Sequence, residues 1–164
     1  MISFPKENSP ERKRVVYLAT DHAGFELKEE IKEFLVKDGY EVKDFGAETF
    51  DPEDDYPDFI SLAAEAVSKD SQSRAIILGG SGQGEAIIAN KYPNVRAAVY
   101  YGRIEQILKL TRQHNDSNIL SLGARFLTAQ EAIEAVKLFL ETPFLQEPRH
   151  LRRIEKIKKI EESL

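Results

Sequence analysis

The sequence predicts an α/β protein with a five-stranded parallel sheet that is covered by helices on both faces. Apolar runs of strand length alternate along the chain with longer segments whose apolar residues recur at helical spacing. Several of the strand-length runs, RAIILGG among them, are apolar without a break, which is typical of strands buried on both sides. Strands that alternate with helices favour right-handed crossovers between parallel neighbours.

The first half of the chain predicts three strands separated by two helices. The first helix carries apolar residues at helical spacing, among them Leu27 and Ile31, and ends at Gly39. The second helix begins at Pro57, a favoured first helical residue. The three strands are predicted at residues 14–20, 40–46 and 74–80.

The second half predicts two more strands and four helices. Thr128 is a candidate N-cap for the third of these helices, which Pro143 ends, and Pro148 begins the last one. The helices are predicted at residues 84–91, 104–113, 129–141 and from 148 onward, and the strands at 95–101 and 118–125.

We expect one domain, because 164 residues suffice for a single core and no linker or repeat divides the chain. Residues 1–13 lack the apolar segment of a secretion signal and are interpreted as a flexible extension. Residues 14–164 are interpreted as the folded domain, with a basic helix at its end.

The composition argues against several classes of function. The chain is 41% hydrophobic and 31% charged, and it has no apolar run close to the roughly 18 residues of a membrane span. Its net charge of -5 argues against a dedicated nucleic-acid binder. The chain has no cysteine, which excludes disulfides, thiolate nucleophiles and cysteine-based zinc sites and fits a cytoplasmic protein.

Four polar segments are expected at one edge of the sheet, because ligands of open parallel sheets bind beyond the carboxyl ends of the strands. The segments that follow the first, second, third and fifth strands are DHAG, ETFDPEDDYPD, GGSGQGE and GAR. The segment QHND precedes the fifth strand and is therefore expected at the opposite edge.

The glycine-rich segment does not match the common nucleotide-binding loops. A Walker A loop requires Lys and then Ser or Thr after its last glycine, where this chain has Glu85 and Ala86. The dinucleotide fingerprint also fails, since Gly80, Gly82 and Gly84 lie two residues apart and follow the third strand. What remains is either a run of backbone N–H groups suited to an anion or a developing oxyanion, or a tight turn that binds nothing.

Glu85 is the unexpected residue of this loop. A carboxylate in the first turn of a helix is stabilised by the helix dipole, so a structural cap accounts for it without any chemistry. Beside donors that hold an oxyanion, the same carboxylate can abstract a proton next to a carbonyl group and leave an enediolate. The residues by themselves leave both interpretations open.

The three histidines are dispersed along the chain and do not predict a metal site. They lack HExxH-type spacing, and the acidic DPEDD segment lacks the EF-hand pattern, so a solvated loop is favoured there. His22 follows the first strand at the ligand edge of the sheet. His150, on the charged tail, is interpreted as a structural residue.

Two arginines of the basic tail, Arg149 and Arg153, are four residues apart and share one face of a helix. Paired guanidinium groups can bind the oxygens of a phosphate dianion bidentately. A solvated basic face is the alternative.

Five segments together resemble the ribose-5-phosphate isomerase B family, which includes galactose- and allose-6-phosphate isomerases. In order along the chain they are TDHAGFELK, DDYPDF, GGSGQGEAIIANK, RQHND and RHLRRI, and the resemblance covers roughly residues 14–160. It implies a Rossmann-like α/β/α sandwich and a homodimer, or a dimer of dimers, with active sites shared between subunits. It also implies interconversion of aldose and ketose phosphates without a metal or another cofactor, in the cytoplasm and in the pentose phosphate pathway.

The resemblance implies a role for each matching residue. Glu85 would be the catalytic base and His114 the acid that opens the sugar ring, while Ser81 and the loop glycines would hold the enediolate oxygens. The substrate contacts would be Asp21, His22, Tyr56, Gly80, Gly82, Gly84 and Asn115, and the phosphate ligands Arg125, Arg149 and Arg153.

Many family members carry a catalytic cysteine where this chain has Gly79, and the GGSGQGE segment resembles the branch that uses a glutamate instead. Because His114 is expected at the opposite edge from Glu85, a neighbouring subunit would have to supply it, which predicts an obligatory dimer. Ribose 5-phosphate is the favoured substrate. The alternatives are a hexose 6-phosphate isomerase of the same family, a non-catalytic sugar-phosphate or nucleotide sensor, and a flavodoxin-like partner-binding module.

Overall fold

The computed structural model describes residues 14–164, which form a five-stranded sheet flanked by helices, and the prediction of an α/β fold with a parallel sheet is confirmed. The predicted extension, residues 1–13, lies outside the described residues. The strands are β1 (Val15–Thr20), β2 (Glu41–Asp44), β3 (Arg74–Gly79), β4 (Ala97–Tyr100) and β5 (Ile119–Gly123). The helices are α1 (Phe25–Lys37), α2 (Tyr56–Lys69), α3 (Gln83–Ala89), α4 (Glu105–Asn115), α5 (Ala129–Glu141) and α6 (Pro148–Glu161).

Strand β3 lies at the centre of the sheet, in the order β2-β1-β3-β5-β4, and all neighbouring strands are parallel. All six of its residues are buried, as its unbroken apolar run predicts. Its register sets Leu78 beside Thr20 of β1 and Gly79 beside Gly123 of β5. The carboxyl ends of these three strands therefore lie side by side.

Successive residues of the central strands point into two separate cores, because side chains alternate across a strand. On one face Ile76 and Leu78 pack with the apolar sides of α1, α4 and α5. On the other face Ala75 and Ile77 pack with α2 and α3. These two cores make the three layers of the fold.

The crevice at the carboxyl edge follows from where the connections leave the sheet. Helix α3, which follows β3, lies on the opposite face from α1 and α5, which follow β1 and β5. Neighbouring connections therefore diverge on both sides of β3 and leave an open groove beyond its carboxyl end.

Several local predictions are confirmed, and a few boundaries differ. Thr128 caps α5 in a reciprocal capping box with Glu131. The edge strands β2 and β4 are shorter than predicted, with four residues each. The helix predicted at residues 104–113 ends two residues later than expected, so His114 and Asn115 belong to the last turn of α4.

Asp116 connects the amino edge of the sheet through three arginines. It follows α4 in a left-handed conformation, with φ of 47°. Its Oδ1 accepts from Arg112 Nη1 at 2.9 Å and lies 3.7 Å from Arg74 Nη2, and its Oδ2 accepts from Arg96 Nη2 at 3.1 Å. Burial, followed by the charges of Arg112 and Arg14, lowers the pKa of Arg74 to about 10. The carboxylate thus compensates positive charge that is partly withdrawn from water.

We expect Asp116→Asn to lower the free energy of unfolding by about 1–3 kcal/mol, because it leaves the buried Arg112 without its anionic partner. Asparagine tolerates the left-handed backbone, so the change isolates the charge. The midpoint of urea unfolding measures the effect. The matched control is Glu33→Gln, an exposed carboxylate on α1, which should change the free energy of unfolding by less than about 0.5 kcal/mol. Equal midpoints for the wild-type and Asp116→Asn proteins would contradict this expectation.

Candidate active site

The glycine loop leaves the carboxyl end of β3 and passes tightly against β5. Gly82 has φ of 77°, and a Cβ atom built on it would lie 3.0 Å from the carbonyl carbon of Leu122, so both conformation and space require glycine. Its carbonyl oxygen accepts a hydrogen bond from Ser121 Oγ at 2.7 Å. Ser81 is exposed between the neighbouring glycines, and its Oγ accepts from the Gln83 N–H at 3.3 Å. The loop therefore offers a hydroxyl group at the crevice.

Glu85 lies in the first turn of α3 and is 4% exposed. Its carboxyl group is packed against the backbone of Gly79, where a built Cβ atom would lie 1.8 Å from Glu85 Oε1 and 2.0 Å from Cδ. The carboxyl group thus occupies the space that a side chain at position 79 would need. Burial raises the pKa of Glu85, and the nearby charge of Asp21 raises it further. A carboxylate held in this way is more basic than an exposed one, which suits a group that accepts and returns a proton.

Asp21 and His22 follow β1 and are joined to the acidic loop by Asp54. The Oδ1 atom of Asp54 accepts from the His22 backbone N–H at 2.9 Å and lies 2.7 Å from His22 Nδ1. The hydrogen bond to Asp54 raises the pKa of His22, and the charges of Asp21 and Asp54 add to it. Burial raises the pKa of Asp21, whose side chain accepts from the Ala23 N–H at 3.0 Å.

Asp54 is a residue that the sequence analysis missed. It lies in the DPEDD segment, which was interpreted as a solvated loop, yet its side chain is 9% exposed. Its Oδ2 atom is buried without a hydrogen-bond partner among residues 14–164. The available signal was its place after the second strand, at the same edge of the sheet as His22.

Arg125 and Tyr56 enclose the glycine loop. Arg125 lies in a short 3-10 turn after β5, and its backbone N–H donates to the Gly80 carbonyl oxygen at 3.2 Å. A Cβ atom built on Gly80 would lie 3.2 Å from Arg125 Nη1, and one built on Gly84 would lie 2.7 Å from the Tyr56 hydroxyl oxygen. Both glycines therefore allow a polar side chain to approach the loop closely.

A cavity of about 360 Å³ opens beside His22. Glu26, Leu127 and Phe50 are among its lining residues. The ring of Phe50 is 60% exposed and lies edge-on to the His22 ring, with 6.2 Å between centroids. The cavity is large enough for a small polar metabolite and adjoins the predicted sugar contacts.

The remaining predicted residues lie at the opposite edge of the sheet. The end of α4, which carries His114 and Asn115, runs into Asn118, whose carbonyl oxygen accepts from the Ala75 N–H at the start of β3. A strand of six residues separates its two ends by roughly 16 Å. Within one chain, the structure therefore keeps His114 apart from Glu85.

Helix α6 brings Arg149, Arg153 and His150 to the region of His114. Both arginines are exposed, and Arg149 Nε donates to Glu147 Oε2 at 2.8 Å. His150 is buried, as expected for a structural residue, and its ring stacks on the ring of His114.

Asp21, His22 and Asp54 form the one group within residues 14–164 whose ligand atoms are close enough to hold a metal ion. The His22 Nδ1 atom of this group already lies at hydrogen-bonding distance from Asp54 Oδ1. A charged hydrogen-bonded pair accounts for this arrangement without an ion.

Within residues 14–164, no helix combines the length and the apolar character needed to cross a membrane.

Comparisons with known proteins identify the family. The family model described as Ribose/Galactose Isomerase matches residues 16–157. The ribose-5-phosphate isomerase B of Mycolicibacterium paratuberculosis is 44% identical over 140 residues, which cover 85% of this chain and 87% of that protein.

Two solved structures extend the similarity to the fold. A crystal structure of ribose-5-phosphate isomerase B from Mycoplasma genitalium with bound ribulose-5-phosphate has a TM-score of 0.89 and 39% sequence identity, covering 94% of this chain and all of that one. The enzyme from Clostridium thermocellum has a TM-score of 0.85 and 41% identity, covering 91% of this chain and 98% of the other. The chain therefore belongs to the ribose/galactose isomerase family.

Proposed function

We propose that this protein interconverts ribose 5-phosphate and ribulose 5-phosphate. The observation that carries the proposal is the buried carboxyl group of Glu85, packed on Gly79 beside the glycine loop and with a raised pKa. The relatives that share its fold and up to 44% of its sequence are ribose-5-phosphate isomerases B, one of them solved with ribulose-5-phosphate. An aldose–ketose isomerase activity fits both the buried carboxyl group of Glu85 and the activity for which these relatives are named.

In the proposed mechanism, Glu85 moves one proton between two neighbouring carbon atoms. His114 donates a proton to the ring oxygen of the furanose while the C1 hydroxyl group releases its proton to solvent, so the bond from C1 to the ring oxygen breaks and the free aldehyde forms. Glu85 then takes the proton from C2 and leaves an enediolate, whose oxygens are stabilised by loop N–H groups and Ser81. Return of the proton to C1, with transfer of the hydroxyl proton from O2 to O1, gives the ketose, so no cofactor is consumed.

Cationic groups at both edges of the sheet support binding of the phosphate. Arg125 and His22 lie at the crevice, and Asp54 favours the charged form of His22 through its hydrogen bond. Arg149 and Arg153 carry two further guanidinium groups on α6. We assign these four side chains to the phosphate, with the α6 pair contributed by a second subunit.

The separation of His114 from Glu85 supports an active site shared between two copies of the chain. A cavity of about 440 Å³ lies next to Asn115, and Ile157 and Ile160 of α6 line it. These isoleucines are 44% and 61% exposed, so a second copy that covered them would bury apolar surface. We propose a homodimer, alone or paired into a tetramer, in which α4 and α6 of one subunit complete the crevice of the other.

The first test follows isomerisation in D₂O by NMR. The purified protein should convert ribose 5-phosphate into ribulose 5-phosphate that carries deuterium at C1, because a proton held by Glu85 can exchange with solvent. Glu85→Gln should lower kcat by about 10²–10⁴-fold with little change in KM, because it removes the base and keeps the shape of the side chain. A panel of pentose and hexose phosphates determines the preferred sugar.

The matched control for this test is Glu105→Gln, which removes another carboxylate from the first turn of a helix, α4, at an exposed position. It should retain the wild-type rate. Binding of ribose 5-phosphate without isomerisation or deuterium incorporation would point to a sensor and sink the proposal. Full turnover by Glu85→Gln would remove that residue from the mechanism.

The second test mixes two inactive variants, His114→Ala and Glu85→Gln. In a hybrid dimer one shared site receives both wild-type residues, so random reassortment should restore about one quarter of the wild-type site concentration. Activity is measured after mixing, and subunit exchange is verified by mass spectrometry of a tagged partner. Proven exchange with no recovery of activity would count against the shared site.

The third test concerns the charge of His22. The pKa of His22 lies above its ordinary value of 6.5, so its charge is present below the raised pKa and is lost as the pH rises through it. Asp54→Asn removes the group that raises the pKa, so the charge should be lost at lower pH, and at a pH between the pKa values of the two proteins KM should increase by about 3- to 10-fold. KM is measured between about pH 6 and pH 9.

The control for the third test is Glu53→Gln, an exposed neighbour in the same loop, which should follow the wild-type profile. An Asp54→Asn profile that runs parallel to the wild-type profile, with no displacement along the pH axis, would assign Asp54 to loop structure alone.

A further inference from the structure

The buried histidine of α6 has no part in the mechanism proposed above. His150 is 1% exposed, which is unusual for a polar residue on a helix rich in charged side chains. Neither of its ring nitrogens has a hydrogen-bond partner among residues 14–164. The carboxylate of Glu147 approaches Nε2 only to 3.6 Å and already accepts from Arg149. A buried polar group without partners requires an explanation other than hydrogen bonding.

The His150 ring makes its close contact through its flat face and not through hydrogen bonds from the nitrogens at its edge. The rings of His150 and His114 are stacked, with 4.3 Å between centroids and 15° between planes. A flat partner at this distance restricts the tilt of the His114 ring. The Leu145 N–H donates to the Gln113 carbonyl oxygen at 3.1 Å, which fixes the segment before α6 to the same turn of α4.

The charged groups around His150 favour its neutral form. Burial lowers the pKa of His150, and the positive charges of His114, Arg149 and Arg153 lower it further, whereas Glu147 acts in the opposite direction. A neutral ring can stack on His114 whether or not His114 carries a proton. Two charged imidazolium rings at this distance would repel each other.

We propose that His150 is a positioning residue, whose flat ring fixes the plane of His114 and holds the arginines of α6 in register with it. The inference rests on the proposed function, in which His114 opens the sugar ring and Arg149 and Arg153 bind the phosphate. Ring opening needs a proton donor aimed at the ring oxygen while the phosphate is held. The stacked rings would hold His114, the proton donor, in a fixed position relative to Arg149 and Arg153, the phosphate ligands. All three side chains would then enter the active site of the neighbouring subunit together.

Two substitutions separate positioning from simple filling of space. His150→Phe keeps a flat ring and removes both nitrogens, whereas His150→Leu fills the site with an apolar side chain that has no flat face. We expect kcat on ribose 5-phosphate to stay within about threefold of wild type in His150→Phe and to fall by about 10- to 100-fold in His150→Leu. The thermal midpoints of both variants are measured alongside, and Lys156→Ala on the exposed side of α6 is the control for the helix itself.

The stack also has a spectroscopic signature, because the chain contains three histidines and each ring can be assigned by its single variant. The ring proton of His114 between the two nitrogens should carry a ring-current shift in the wild-type and His150→Phe proteins. The shift should be lost in His150→Leu. If His150→Leu fails to fold, His150→Phe is the test by itself. Retention of the His114 ring-current shift and of kcat in that variant supports the inference.

Wild-type kcat in a folded His150→Leu variant would overturn the inference, and so would an equal loss of kcat in both variants, which would assign the role to the ring nitrogens. Failure of the proposed function looks different. In that case the wild-type protein would isomerise no sugar phosphate, while the ring-current shift of His114 would still be present.

Discussion

The candidate site depends on one steric contact, that between the carboxyl group of Glu85 and the bare backbone of Gly79. The central strand is buried on both faces, so whatever follows it must enter the crevice between β1 and β5. Because residue 79 has no side chain, a carboxyl group from α3 can lie there, largely withdrawn from water. Its raised pKa follows from this burial, with Asp21 as a second anion nearby. The basicity of the site is therefore a consequence of packing.

The two ends of β3 adjoin different parts of the structure, the candidate site at the carboxyl end and a network of charged side chains at the amino end. Its carboxyl end adjoins the glycine loop, where conformation and close approach restrict the sequence. At its amino end, Asp116 engages Arg74, Arg96 and Arg112 in a network that connects β3 to the end of α4. The same end of α4 carries His114, so the group proposed to serve a neighbouring subunit lies two residues before Asp116 of this network.

The sequence predicted features that lie within one helix or strand, whereas it did not predict contacts between elements that are distant along the chain. The cap at Thr128 and the buried run of β3 each follow from local chemistry, and both are confirmed. The insertion of β5 between β3 and β4 depends on crossover geometry, which periodicity does not encode. For the same reason Asp54 was missed, since its hydrogen bonds to His22 span 32 positions of the chain. His150 was expected to be structural, but its stacking partner depends on how α6 docks on α4.

The fit of Glu85 against Gly79 also restricts the routes by which the site can change. A reactive side chain at position 79 would lie on the strand, whereas this chain carries its proposed base on the following helix. A Cβ atom at position 79 would overlap the glutamate oxygen, at 1.8 Å, so the two arrangements exclude each other without a shift of the helix or of the side chain. A lineage that passes from one arrangement to the other by single replacements therefore crosses a form that is either overcrowded or lacks a proton acceptor. A transition between the two arrangements that avoids this form requires two replacements together, one at position 79 on the strand and one at position 85 on the helix.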